Sequence, residues 1–129
     1  MNTILVEVSV GELLDKISIL EIKKEKIKDS EKLKFINDEY EVLKDQLDKN
    51  VKSDEKIDKL FQSLKEINTK LWVIEDDKRL CEKNSDFSEK FIKLSRDVHF
   101  LNDNRAKIKL EMNLHTGSKI KEIKKYTNY

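Results

Sequence analysis

Proline never occurs in this sequence, glycine occurs twice and cysteine once. Sheet architectures built from hairpins need turn residues at every reversal, so this poverty excludes them. The lone Cys81 rules out an internal disulfide and fits a reducing compartment. An excess of one charge is also missing. Lys and Arg number 27 and Asp and Glu 26, a formal net charge of +1, which leaves no global nucleic-acid footprint. No apolar run approaches the roughly 18 residues of a membrane span, and no stretch has the form of a signal-peptide core. The expectations are a cytoplasmic location and no membrane insertion.

What is present is charge of both signs, 41% of the residues, against 37% hydrophobic. At 129 residues the chain suits one domain with a core of its own. A hydrophobic share this low is sparse for a globule, yet it suffices for narrow helical seams. The apolar residues are periodic rather than scattered, which argues against disorder. Charge is also unevenly placed. Arg105 to Lys125 is basic, whereas acids outnumber bases from Asp38 to Asp58.

Ile4, Val6, Val8 and Val10 alternate with Thr3, Leu5, Glu7 and Ser9, predicting a short strand over about 3–9. Its partner must be the C-terminal tail or another chain. Ser9 and Glu12 have the spacing of a capping box and open a first helix over about 10–28. Its seam is Leu13, Ile17, Leu20, Lys24 and Ile27, broadened by Leu14. A second helix, about 31–49, carries Leu33, Ile36, Tyr40, Leu43 and Leu47 and closes at Asn50. Ser53 is the expected cap of a third, about 54–83, with Ile57, Leu60, Leu64, Ile67, Leu71, Ile74, Lys78 and Cys81 in heptad register. Asp86 and Glu89 resemble another capping box before a fourth, about 87–115. Its seam runs Phe87, Phe91, Leu94, Val98, Leu101, Arg105, Ile108 and Met112, and Gly117 ends it. A basic tail, 118–129, follows. The fold class predicted is all-α: an antiparallel helical bundle with a long coiled-coil hairpin, two shorter helices and a short N-terminal strand. The short pair covers only part of the long one, and a second copy is expected to bury the rest.

Two polar stripes stand beside the seams. Trp72, Glu75, Asp76 and Arg79 share one face of the third helix. They read either as a polar site with a stacking platform or as an exposed ion-pair ladder, and the ladder is favoured. Ser95, His99, Asn102, Ala106, Lys109 and Asn113 form a stripe on the fourth, adjoined by Arg96, Asp103 and Arg105. Asn102 to Asn104 resist helix by propensity, so a site or a buried polar network is expected there. His99 reads as a hydrogen-bonded interface residue before it reads as a base or ligand. Lys24, Lys78 and Arg105 hold seam positions, with Glu21, Glu75 and Asp103 as natural partners. Glu12 with Asp15, and Asp38 with Glu41, have a spacing that could hold magnesium in a nucleotide pyrophosphohydrolase, but 26 acids produce such pairs by chance. Cys81 reads as a buried structural thiol. No phosphate loop, metal spacing or nucleophile motif is found, so neither cofactor nor metal is called for.

Val8 to Lys23, Leu71 to Arg79 and Phe91 to Ser118 together resemble a family of small helical bacterial and phage proteins with no established activity. The resemblance covers nearly the whole chain. It places weight on Glu12, Asp15, Lys16, Glu21 and Lys23 as one cluster, and on Trp72, Glu75, Asp76, Arg79, Arg96, Asn102, Asp103 and Arg105 as another. His99 stands where the resemblance implies Tyr, which tells against a catalytic role. The functional expectation is a non-catalytic interaction module, adaptor or regulator, that forms a homodimer and engages a further protein. A small-ligand-binding protein or enzyme using the stripes, and phosphate or nucleic-acid binding by the basic tail, are the alternatives.

Overall fold

The computed structural model describes residues 2–125, 127 and 128. Met1, and Tyr126 and Tyr129 of the predicted tail, lie outside the described residues. Among the described residues there are four α-helices and no strand: α1 (Val10–Lys26), α2 (Ser30–Asn50), α3 (Glu55–Lys83) and α4 (Glu89–Thr116).

The helix starts follow local chemistry, with corrections. Ser9 caps α1, its Oγ accepting from the Glu12 amide at 3.0 Å. Glu12 sends its own carboxylate to Lys109 at 2.6 Å, across to α4. Asp54, not Ser53, caps α3 by accepting from the Ile57 amide at 2.8 Å. The predicted box at Asp86 is also displaced. Ser88 is the N-cap of α4, and Asp86 accepts from the Ser88 amide at 3.1 Å. Asn50 remains helical, and Val51, in extended conformation, ends α2. Gly117 ends α4 at φ 68°, the left-handed conformation that glycine adopts without a Cβ clash.

The predicted strand over about 3–9 is not formed. The described residues of the tail supply no strand beside it, and Ile4 and Leu5 are 84% and 90% exposed. The segment is instead fastened at its end through side chains. The Ser9 hydroxyl donates to Glu122, and the Val10 amide donates to Ser118 Oγ at 3.2 Å.

α3 and α4 form a long antiparallel pair. α1 is the helix that touches all three others, while α2 packs along α1 alone. Hence α1 is buried well beyond its predicted seam: Gly11, Asp15, Ser18 and Ile22 are buried with Leu14, Ile17 and Leu20. Leu14, Ile57, Leu64 and Met112 make the core cluster, with Val10, Leu47, Leu60, Phe61 and Ile108 packed around it. Gly11 permits the closest approach. A Cβ built on it would lie 2.6 Å from the Lys109 carbonyl oxygen. The core occupies one end of the α3–α4 pair. Over the other half, 71–101, Cys81 alone among the described residues is buried.

Candidate functional site

The polar residues converge at the crossing of α1 over the long pair. Asp15 follows Gly11 by one turn and so faces the same way. On α4, Arg105, Lys109 and Asn113 are spaced by four and line one face toward α1. The Asp15 side chain is 2% exposed and accepts from donors on two helices. Arg105 grips it with two nitrogens, Nε to Oδ1 at 3.0 Å and Nη2 to Oδ2. Asn68 of α3 donates to Asp15 Oδ1 and to Ser18 Oγ, both at 2.8 Å, and Ser18 donates to the Asp15 carbonyl. Asp15 holds the Arg105 pKa above its ordinary value, chiefly through that hydrogen bond.

The network continues toward the tail. Lys109 Nζ lies 2.6 Å from Glu12, 3.5 Å from Glu122 and 3.8 Å from Asp15. Asn113 accepts from the Gly11 amide at 2.7 Å and donates to the Lys121 carbonyl at 3.3 Å. Glu122 holds a left-handed backbone, φ 48°, which costs a non-glycine residue about 1 kcal/mol. Its contacts with Ser9 and Lys109 offset that cost. No fully buried side-chain nitrogen or oxygen among the described residues lacks a hydrogen-bond partner.

A buried carboxylate costs several kcal/mol unless paired with good geometry. Here every charge is spent on a neighbour, so the arrangement clamps three helices and the tail. The Asp15 carboxylate accepts three hydrogen bonds, two of them from Arg105, and Glu12 and Asp15 face cations. Asp38 and Glu41, the other pair of the pyrophosphohydrolase reading, are exposed on α2. Among the described residues no group of three or more His, Cys, Asp and Glu is placed to hold a metal ion.

The candidate residues divide accordingly. Glu12, Asp15 and Arg105 belong to the clamp. Lys16 is exposed, 3.8 Å from Glu12, and Glu21 pairs with Lys65 at 3.1 Å. Lys23 is half-buried in the last turn of α1. Trp72 is half-buried, and Glu75, Asp76 and Arg79 are exposed beyond the reach of α1. His99 is exposed with its ring 4.6 Å from that of Phe100, and the Arg96 guanidinium lies 6.0 Å from the Phe100 ring. Asn102 accepts a long bond from Arg105 at 3.4 Å, and Asp103 is half-buried. The seam cations choose partners other than those expected. Lys24 sits over the Tyr40 ring at 4.1 Å, Lys78 over Phe91 at 5.9 Å, and Arg105 reaches Asp15. Sequence reasoning missed Asn68 and Ser18. Each is a poor helix former inside a helix, the same signal that drew attention to Asn102.

A second feature is apolar. Thr69, Lys70, Val73, Ile74, Asp97, Phe100 and Leu101 line a groove of about 500 Å³ on the uncovered half of the long pair. Val73 is 45%, Leu80 51% and Phe100 39% exposed.

A clamped α1 laid across one end of a long helical pair, with no further helix over the other end among the described residues, defines a small all-α protein whose conspicuous sites are a polar clamp and an open apolar groove. Over residues 4–129 it matches the model described as "Family of unknown function (DUF6165)", and the chain belongs to that family. No curated protein and no solved structure matches it. No helix among the described residues is long and apolar enough to cross a membrane.

Proposed function

We propose that this chain is a non-catalytic helical interaction module, an adaptor or regulator that self-associates. The observation that supports the reading is the uncovered half of the α3–α4 pair. Its seam continues, yet neither α1 nor α2 lies over it, and Val73, Leu80, Phe87, Ile92 and Phe100 stay exposed. Of these, Val73 and Phe100 share one open apolar groove, a feature that supports an interaction site. The small-ligand reading has less support, because the polar residues that converge neutralise one another at the clamp. The lone, buried Cys81 fits action in a reducing cytoplasm, bacterial or phage-infected by the resemblance.

Light scattering across the micromolar range tests the reading. A mass twice the 15.3 kDa of the chain is expected. A single-chain mass throughout would defeat self-association. Nucleic-acid binding is expected to be weak and to fade as salt rises, since acids balance the basic residues everywhere but in the segment after Arg105. Sub-micromolar binding of an oligonucleotide at physiological salt would replace the reading with the nucleic-acid one.

A further inference from the structure

Two segments outside the helices carry the barest apolar side chains. Leu5 is 90% exposed, Ile4 84%, Ile123 80% and Val6 73%, the four most exposed large hydrophobic side chains among the described residues. Three belong to the N-terminal segment, 2–8, and one to the tail segment, 119–125. Among the described residues neither segment is helical and neither pairs as a strand. The alternation that predicted a strand is therefore not used inside the fold, and the core does not account for these side chains.

The fold fastens the two segments to each other. The Ser9 hydroxyl donates to Glu122, and the Val10 amide donates to Ser118 Oγ at 3.2 Å. Ser9 and Ser118 are buried, so both segments leave one fixed junction at the start of α1. Ile123 follows Glu122 directly, and Val6 stands three residues before Ser9. Three residues span at most about 11 Å.

The tail segment adds charge of one sign to that junction. Lys119, Lys121, Lys124 and Lys125 are exposed. Glu122, the acid among them, is turned inward: it accepts from Ser9 and lies 3.5 Å from Lys109. Glu7 is the acid of the N-terminal segment. Bare aliphatic side chains beside a row of lysines match an anionic bilayer surface. Ammonium groups meet the headgroups while the aliphatic groups enter the boundary of the acyl chains, with no spanning helix required. Each lysine at such a surface strengthens binding about fivefold, and each methylene buried there about fourfold. A second copy, placed about a twofold axis, would instead set these lysines against themselves. Nucleic acid would satisfy the lysines but offer the aliphatic side chains no stacking.

We infer that the N-terminal and tail segments together form a peripheral contact for an anionic phospholipid surface, with Ile4, Leu5, Val6 and Ile123 against the lipid and Lys119, Lys121, Lys124 and Lys125 against the headgroups. This surface is separate from the uncovered half of the long pair, so it neither requires nor forbids self-association.

Co-sedimentation of the full chain with vesicles at physiological salt tests the contact. Vesicles of phosphatidylglycerol and phosphatidylcholine in equal parts should bind about tenfold more tightly, or better, than phosphatidylcholine alone. Ile4→Ser/Leu5→Ser and Lys124→Glu/Lys125→Glu should each weaken binding to the anionic vesicles by about tenfold or more. Lys124→Arg/Lys125→Arg, which keeps the charge, should stay within about threefold of wild type. Circular dichroism should show every variant to be as helical as wild type, since the substituted residues lie outside the helices. No binding to the anionic vesicles, or equal binding to neutral ones, would overturn the inference. So would wild-type binding by the Ile4→Ser/Leu5→Ser variant, which would reduce the contact to charge alone, or by the Lys124→Glu/Lys125→Glu variant, which would remove the headgroups from it. An oligonucleotide bound more tightly than the anionic vesicles would overturn it in favour of nucleic acid.

Discussion

Asp15 and Gly11 show how much a single position on α1 carries. Replacing Arg105 by Ala leaves the Asp15 carboxylate buried with Asn68 and a distant Lys109. Breaking a buried pair costs about 3–5 kcal/mol. Arg105 is itself half-buried, which favours the lower end of that range. Thermal melts should show a fall of about 10 °C, indifferent to magnesium. An unchanged or raised melting point would return these residues to a ligand-binding role. Glu75→Ala, Asp76→Ala and Arg79→Ala, on the exposed stripe, should stay within about 0.5 kcal/mol of wild type. Gly11→Ala is the second test. Alanine suits a helix by propensity, but its Cβ would press on the Lys109 carbonyl, a backbone atom that cannot swing away. The overpacking should cost about 1–3 kcal/mol, against a gain of about 1 kcal/mol from propensity alone. A stabilised variant in chemical denaturation would show that α1 and α4 are not so closely apposed.

Among the elements, α3 depends on Asp54 at both of its oxygens. Oδ1 accepts from the Ile57 amide, and Oδ2 lies 2.7 Å from His115 Nε2 near the end of α4. The amide bond foremost, then His115, lowers the Asp54 pKa in the folded protein. A carboxyl depressed on folding stabilises above its unfolded value, and loses that contribution as pH falls through the folded one. Asp54→Ala should therefore melt a few degrees below wild type at neutral pH. The gap should close as pH falls below about 4. A gap independent of pH would mean that the carboxylate does not act as the cap. Lys65 moves the other way. Its hydrogen bond to Glu25 raises its pKa and lowers that of Glu25, so the tie of α3 to α1 persists at neutral pH and weakens in strong alkali, as Lys65 loses its proton, and in acid, as Glu25 gains one.

For the whole molecule, burial is lopsided. Where α1 crosses, Leu64, Asn68, Met112 and Asn113 are buried. Over 71–101 the seam of the two helices is half-buried except at Cys81. Local opening follows such differences in packing. Amide hydrogen exchange of dilute protein should be faster over 71–101 than over 57–68 and 105–113. Raising the concentration should slow exchange in the outer half, if a second copy covers it. Equal protection in both halves of dilute protein would contradict the asymmetry.

Helix periodicity was written in the chain, because each backbone hydrogen bond and each seam position depends on residues three and four away. Leu33 to Leu47, Ile57 to Cys81 and Phe91 to Met112 could be read from spacing alone, and so could the Ser9 cap and the Gly117 stop. The paucity of proline and glycine likewise settled the all-α class. The arrangement of those helices was not legible. Asp15 and Arg105 are separated by 90 residues, and their pairing depends on the angle and level at which α1 crosses the long pair. No period encodes that level. The strand over 3–9 failed for the same reason: alternation makes a segment able to pair, but only the assembled fold decides whether a partner strand lies beside it.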